Sequence, residues 1–302
     1  MTGSGNAPAD LSAALDGWAP GPLVGTDTVT PWSVAAFSGL LDLDPVAADG
    51  DPLPPLWHWL AFLDTPPMSA LGEDGHPREG HFLPPVPDRR RMFAGGRLTW
   101  HAPWRVGEPV TRRQELGPVR VKQGRSGEMA FVTTRAEFRR GDTLLCVEEQ
   151  DIVYRSQPAG TVRGTVAPDP APRPEHEWAF TVPTGPELLF RMSALTYNTH
   201  RIHYDLPYVT GVEGYPGLVV HGPLFALLGL EIARRHRPTA FVRGFEYRLT
   251  APAFAGADVW VGGTPDGDRI DVAAGSDGPE GRTGDESTRA TAERRDSPVG
   301  GD

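Results

Sequence analysis

The chain has 302 residues, a formal net charge of −10 and a single cysteine. That length allows two domains or one double-sized fold with a substantial core, and the acidic balance argues against nonspecific nucleic-acid binding, which needs a basic surface for phosphates. One cysteine excludes a disulfide within the chain and a Cys-rich zinc site, and no run approaches the ~20 apolar residues of a membrane helix.

Residues 1–9 and 296–302 are expected to be disordered. Thr30, Pro31 and the apolar residues that follow at helical spacing predict a short helix over 30–38. Residues 54–63 open at two prolines and are apolar on nearly all sides, which predicts a helix wrapped by other structure. From Gly96 onward the texture changes to short β-branched and aromatic runs. Residues 129–138 and 143–154 form a predicted hairpin about Arg139, Arg140, Gly141 and Asp142. Within it Cys146, flanked by Leu144, Leu145 and Val147, reads as a buried strand thiol. Residues 156–175, rich in proline and glycine, read as an interdomain linker.

Beyond the linker the order repeats. A polar helical turn at 190–205 is followed by an apolar helix at 222–234, then strands at 241–250, 257–262, 269–273 and 288–292, with a charged glycine-rich loop at 275–286. Phe245, Tyr247 and Leu249 alternate with Glu246 and Arg248, giving one apolar and one wet face. Two copies of helix, apolar helix and antiparallel strands imply a duplicated α+β unit. A buried helix wrapped by an antiparallel sheet is the hot-dog arrangement, here doubled: units at 10–155 and 176–295.

Chemistry concentrates in two segments. Asn198, His200 and His203 lie on one polar turn, and Gly222 opens the apolar helix after His221. The first offers proton transfer. The second offers unpaired N–H groups and the positive end of a helix dipole, which stabilise an oxyanion without a charged side chain. Together they point to hydration or dehydration of an acyl thioester.

Several segments carry a family resemblance. They are Leu53-Pro54-Pro55-Leu56-Trp57-His58-Trp59, Gly75-His76-Pro77, Phe82-Leu83-Pro84-Pro85, Asn198-Thr199-His200-Arg201-Ile202-His203 and Gly217-Leu218-Val219-Val220-His221-Gly222-Pro223. The chain resembles the MaoC-type (R)-specific hydratase 2 family over roughly residues 15–260, in particular its double hot-dog branch of 3-hydroxyacyl-thioester dehydratases and mesaconyl-C4-CoA hydratases. The family motif is Asp-x-Asn-Pro-x-His. His203 falls on its histidine, while Asn198 takes the aspartate position and His200 the asparagine position. Asparagine cannot accept a proton at neutral pH, so Asn198 would orient water but not act as a second base.

The resemblance implies His203 as base, Gly222 N–H as oxyanion donor, no cofactor, and a CoA or carrier-protein thioester as partner. His200, Tyr204 and His221 are expected around the substrate. Arg90 and Arg91, with Lys122 and Arg125, are candidates for its phosphates or else solvated surface charges. Trp57, Trp59, Trp100 and Trp104 read as core. Residues 37–45 contain no histidine, which predicts one active site, in the second half, with the first half supplying room for the acyl group. A cytoplasmic monomer or homodimer is expected. A hot-dog thioesterase and a noncatalytic acyl-binding subunit are the competing readings.

Overall fold

A computed structural model describes residues 10–124, 127–156, 173–276 and 286–295. The predicted disordered ends and most of the predicted linker and of the 275–286 loop lie outside the described residues. The first half comprises α1 (Leu11–Ala14), β1 (Leu23–Thr28), α2 (Pro31–Leu40), β2 (Arg89–Trp100), β3 (Pro109–Gly124), β4 (Gly127–Arg140) and β5 (Thr143–Ser156). The second comprises β6 (Trp178–Val182), α3 (Pro186–Leu195), α4 (Leu206–Gly211), α5 (Gly222–His236), β7 (Phe241–Leu249), β8 (Val259–Asp266), β9 (Arg269–Ser276) and β10 (Glu286–Arg295).

The ten strands form one antiparallel sheet in the order β1-β3-β4-β5-β2-β7-β10-β9-β8-β6. Read outward from the centre, 2-5-4-3-1 and 7-10-9-8-6 are the same pattern, so the duplication is present in the topology. This is the double hot dog. The halves join where β2 pairs with β7, from Gly95 opposite Arg248 to Thr99 opposite Gly244. Glycine is required there by proximity: a Cβ on Gly95 would stand 2.4 Å from the Tyr247 carbonyl oxygen, and one on Gly96 2.6 Å from that of Glu149.

Local sequence explains most elements. Pro31 begins α2, and the Thr30 side chain accepts from the Ser33 N–H, satisfying a donor that a helix start leaves unpaired. α5 buries ten consecutive residues, Leu224 to Ala233. Its one charged member there, Glu231, is met by Arg234 at 2.7 Å. The helix lies against apolar strand residues, with Val272 and Phe245 beneath Gly229. Cys146 is fully buried on β5.

The predicted helix over 54–63 is a correction. Only a single 3-10 turn forms, Trp57–Leu60, bounded by Leu56 at φ 69° and Phe62 at φ 57°. Left-handed residues end a helix on either side. The aromatic residues here have partners in different directions instead of along one face: Trp57 packs edge-on against Phe37, ring centroids 4.7 Å apart, while His58 bonds Glu148 at 2.9 Å. The described residues of the first half therefore contain no counterpart of α5, and part of the concave face of β3, β4 and β5 lines a cavity instead. Among the described residues, no helix is long and apolar enough to cross a membrane.

Candidate active site

The turn after α3 and the start of α5 meet over one cavity of about 850 Å³. Tyr197, at φ 49°, turns the chain out of α3. The Asn198 side-chain oxygen then accepts from the His200 N–H at 3.0 Å, and a 3-10 turn, Arg201–His203, carries His203 inward. Asp205 caps α4, accepting from the Tyr208 N–H at 3.0 Å, as a structural residue of this sequence type does. Asn198, His200, His203, His221 and Gly222 all line the cavity.

His203 is 6% exposed. Its Nδ1 lies 2.7 Å from the Val219 carbonyl oxygen; an oxygen acceptor there requires Nδ1–H, so Nε2 carries the lone pair. Burial pulls its pKa down to about 4, against the opposing bond to Val219. The ring is thus unprotonated near pH 7. His221 stacks on it, centroids 3.6 Å apart, and its Nε2 lies 2.9 Å from Ser193 Oγ. Burial, then the neighbouring His203, holds His221 well below the ordinary range, and burial does the same to His200. Gly222 N–H has no partner among the described residues. A Cβ there would meet the Leu249 side chain at 2.8 Å.

The first half contributes a loop to the wall of this cavity as well as room for an acyl group. Its loop around Gly75 docks on the histidine turn. Thr199 Oγ1 donates to the Gly75 carbonyl at 2.6 Å, Arg201 N–H to the Asp74 carbonyl at 2.8 Å, and the Arg201 guanidinium to the Glu73 carbonyl at 3.1 Å. Gly75 has φ +87°, and a Cβ on it would fall 1.9 Å from the Thr199 carbonyl oxygen. His76 follows, its Nδ1 3.0 Å from Asp74 Oδ2 and its ring centroid 3.9 Å from that of His200. Burial raises the Asp74 carboxyl, but the bonds and charge of His76 outweigh it and hold the group well below the usual carboxylate range. Asp74, His76 and His200 bring three ligand-type atoms within 4.8 Å of one another, an arrangement that could hold a cation, although Asp74 and His76 already bond each other. In the sequence, Gly75-His76-Pro77 was visible only as part of the family resemblance, because nothing local ties it to a turn more than 120 residues away.

The remaining expected residues divide. Arg90 is committed to an ion pair with Glu213, whose carboxylate also accepts from the Tyr208 hydroxyl at 3.2 Å; it is a structural cation and not a free phosphate ligand. Arg91 is exposed and lines both this cavity and a neighbouring one walled by Arg78, Arg89 and Arg90. Tyr204 is outside the cavity, its hydroxyl bonded to the Thr199 carbonyl at 3.1 Å. Lys122 is also remote, its ammonium 5.1 Å from the Phe131 ring centroid near the β3–β4 turn. Arg125 lies outside the described residues. Trp57, Trp100 and Trp104 are buried as expected. Trp59 instead lines the cavity and donates to Glu148 at 2.8 Å.

Residues 56–255 match the hydroxyacyl-thioester dehydratase type 2 family. The chain is 50% identical to a mesaconyl-C(4)-CoA hydratase of Chloroflexus aurantiacus, over 77% of this chain and 81% of that protein. It is 29% identical to a mitochondrial hydroxyacyl-thioester dehydratase type 2 of Schizosaccharomyces pombe, over 73% and 81%. Among solved structures, a MaoC-like dehydratase from Phytophthora capsici superposes with TM-score 0.67 at 12% identity, covering 95% of this chain and 98% of that one. A Mycobacterium tuberculosis protein described as a double hot-dog fold gives 0.56 at 17% identity, covering 93% and 97%. With the family pattern spanning both halves and the histidine turn, the chain belongs to the hydroxyacyl-thioester dehydratase type 2 family of hydro-lyases.

Proposed function

We propose that the chain interconverts trans-2-enoyl and (R)-3-hydroxyacyl thioesters, with His203 as base and the Gly222 N–H as oxyanion donor. The carrying observation is the fixed tautomer of His203: Nδ1–H is spent on Val219, which leaves Nε2 as the unprotonated nitrogen of a ring that lines the same cavity as Gly222. In hydration, His203 Nε2 takes a proton from water and the hydroxide adds to C3. The thioester oxygen gains charge at Gly222 N–H, at the positive end of α5, and the proton taken by His203 is then delivered to C2 of the enolate, which returns the ring to its neutral form. Dehydration reverses these steps. The side-chain oxygen of Asn198 is occupied by the His200 N–H, so its amide NH₂ is the group that would hold the water.

Half-identity to a mesaconyl-C(4)-CoA hydratase supports a CoA thioester as substrate, and Arg91 at the cavity wall is suited to a phosphate. The test follows water addition and free thiol by mass spectrometry with crotonyl-CoA and mesaconyl-CoA, beside His203→Ala. Hydrated thioester from the unmodified protein alone is the expected result. Free thiol would instead identify a thioesterase, and near-normal turnover by the variant would remove His203 from the mechanism.

A further inference from the structure

The two concave faces of the sheet differ in character. In the second half, the face under α5 is apolar: Phe245, Val259, Val261, Val272 and Ala274 are buried against it. The equivalent face of the first half is covered by the α1 cluster at one end, through Leu11, Ala130, Val132 and Ile152, and by the 3-10 turn at the other. Between them it presents Arg112 and Gln114 from β3, Thr134 from β4, and Glu148 and Gln150 from β5. Strand register brings these together, with Gln114 opposite Ala136, Ala136 opposite Glu148, and Thr134 opposite Gln150. All five line the cavity that holds His203 and Gly222. Polar side chains on an inner face are costly unless the protein or a ligand gives them hydrogen-bond partners.

Most of these groups are already satisfied. Both Glu148 oxygens are engaged, one by His58 and the other by Trp59 and Gln150. Arg112 is not. Its Nε is buried without a hydrogen-bond partner, its Nη1 makes only a long contact of 3.4 Å to the Phe62 carbonyl, and its guanidinium rests 4.9 Å from the Phe62 ring centroid. Burial pulls its pKa down, and Asp64, Glu148 and Asp27 oppose that from a distance. No carboxylate lies within 4 Å of it among the described residues. Asp27 and Asp64 are exposed to water, which screens their charge. A guanidinium offers a planar fork of donors matched to a carboxylate.

We infer that Arg112 seats a carboxylate at the far end of the acyl group, so that the enzyme selects monothioesters of dicarboxylic acids over acyl groups ending in a methyl. This rests on the proposed reaction for the placement of the thioester at Gly222. Gln114, next on the same face of β3, and Thr134 on β4 line the same cavity as further hydrogen-bonding groups, while Phe138, opposite Arg112 in register, and Ala136 make the neutral part of its wall.

The test is calorimetric binding of succinyl-CoA and butyryl-CoA, unreactive thioesters of equal length that differ in a terminal carboxylate or methyl. The unmodified protein should bind succinyl-CoA more tightly by on the order of 10- to 100-fold, the range of a charge-assisted hydrogen-bonded pair. Arg112→Gln should bring that ratio to about one, and Arg112→Lys should restore part of it. Equal binding by the unmodified protein, or a preference retained in Arg112→Gln, overturns the inference. If Arg112→Gln does not fold, the unmodified ratio and the Lys variant decide. Water addition is read separately: a carboxylate preference without hydration removes the reaction and leaves the seat, and hydration without a preference does the reverse.

Discussion

At the residue scale, burial keeps His200, His203 and His221 neutral. His203 has a pKa of about 4, whereas a histidine in an unfolded chain titrates near 6.5. The rate kcat/KM should be level from about pH 6 to 8 and fall on an acid limb centred near 4, as His203 acquires the proton it must leave off. Stability follows from the same difference. Between pH 6.5 and 4 the unfolded chain binds protons that the folded chain refuses, so unfolding becomes easier as pH falls through that window. His200 and His221 act in the same direction. Thermal melts across pH should show this loss, and His203→Gln should reduce it. Initial rates with His203→Ala should drop by roughly 10²- to 10⁴-fold, the usual contribution of a general base, with the far-UV spectrum unchanged.

At the scale of elements, the decisive contact is that of two loops. Gly75→Ala places a Cβ against the Thr199 carbonyl and asks a substituted residue to hold φ +87°, a conformation costing about 1–3 kcal/mol. Denaturant unfolding should register that loss, and turnover should fall further than stability accounts for, because the turn carrying His203 is held by this contact. The sequence made several elements readable for local reasons: Thr30 and Pro31 start a helix wherever they stand, and the alternation of Phe245, Tyr247 and Leu249 specifies one buried face. It also placed His203 on a polar turn and Gly222 at a helix start, each set by residues adjacent to it. The segment at 54–63 misleads because continuous apolarity fits a buried helix and a buried irregular turn equally well. Which one forms is decided by Phe37 and Glu148, remote in sequence. His76 was hidden for the same reason, its partner being on the other half.

At the scale of the whole molecule, the single sheet makes the halves one cooperative body. The seam tolerates only glycine at Gly96, where a Cβ would also stand 2.8 Å from the Tyr247 hydroxyl. Gly96→Leu should therefore separate the halves: unfolding should broaden or split into two transitions, and activity should be lost although Gly96 is absent from the cavity wall. Calorimetry of that variant, compared with an exposed substitution away from the seam such as Arg113→Lys on β3, isolates the effect of the seam.

The missing helix of the first half has a consequence for how such an enzyme can change. A pair of identical hot-dog subunits must give both copies the same interior, so any alteration that widens one chamber also hollows the scaffold of the other. Once the copies are fused, that symmetry no longer binds. One copy can keep its helix and preserve the reacting groups in a rigid frame, while the other sheds its helix and drifts in shape and polarity. Exchanging the cavity-lining residues of β3, β4 and β5 should therefore retarget the enzyme to acyl groups of different size or charge without moving His203 or Gly222.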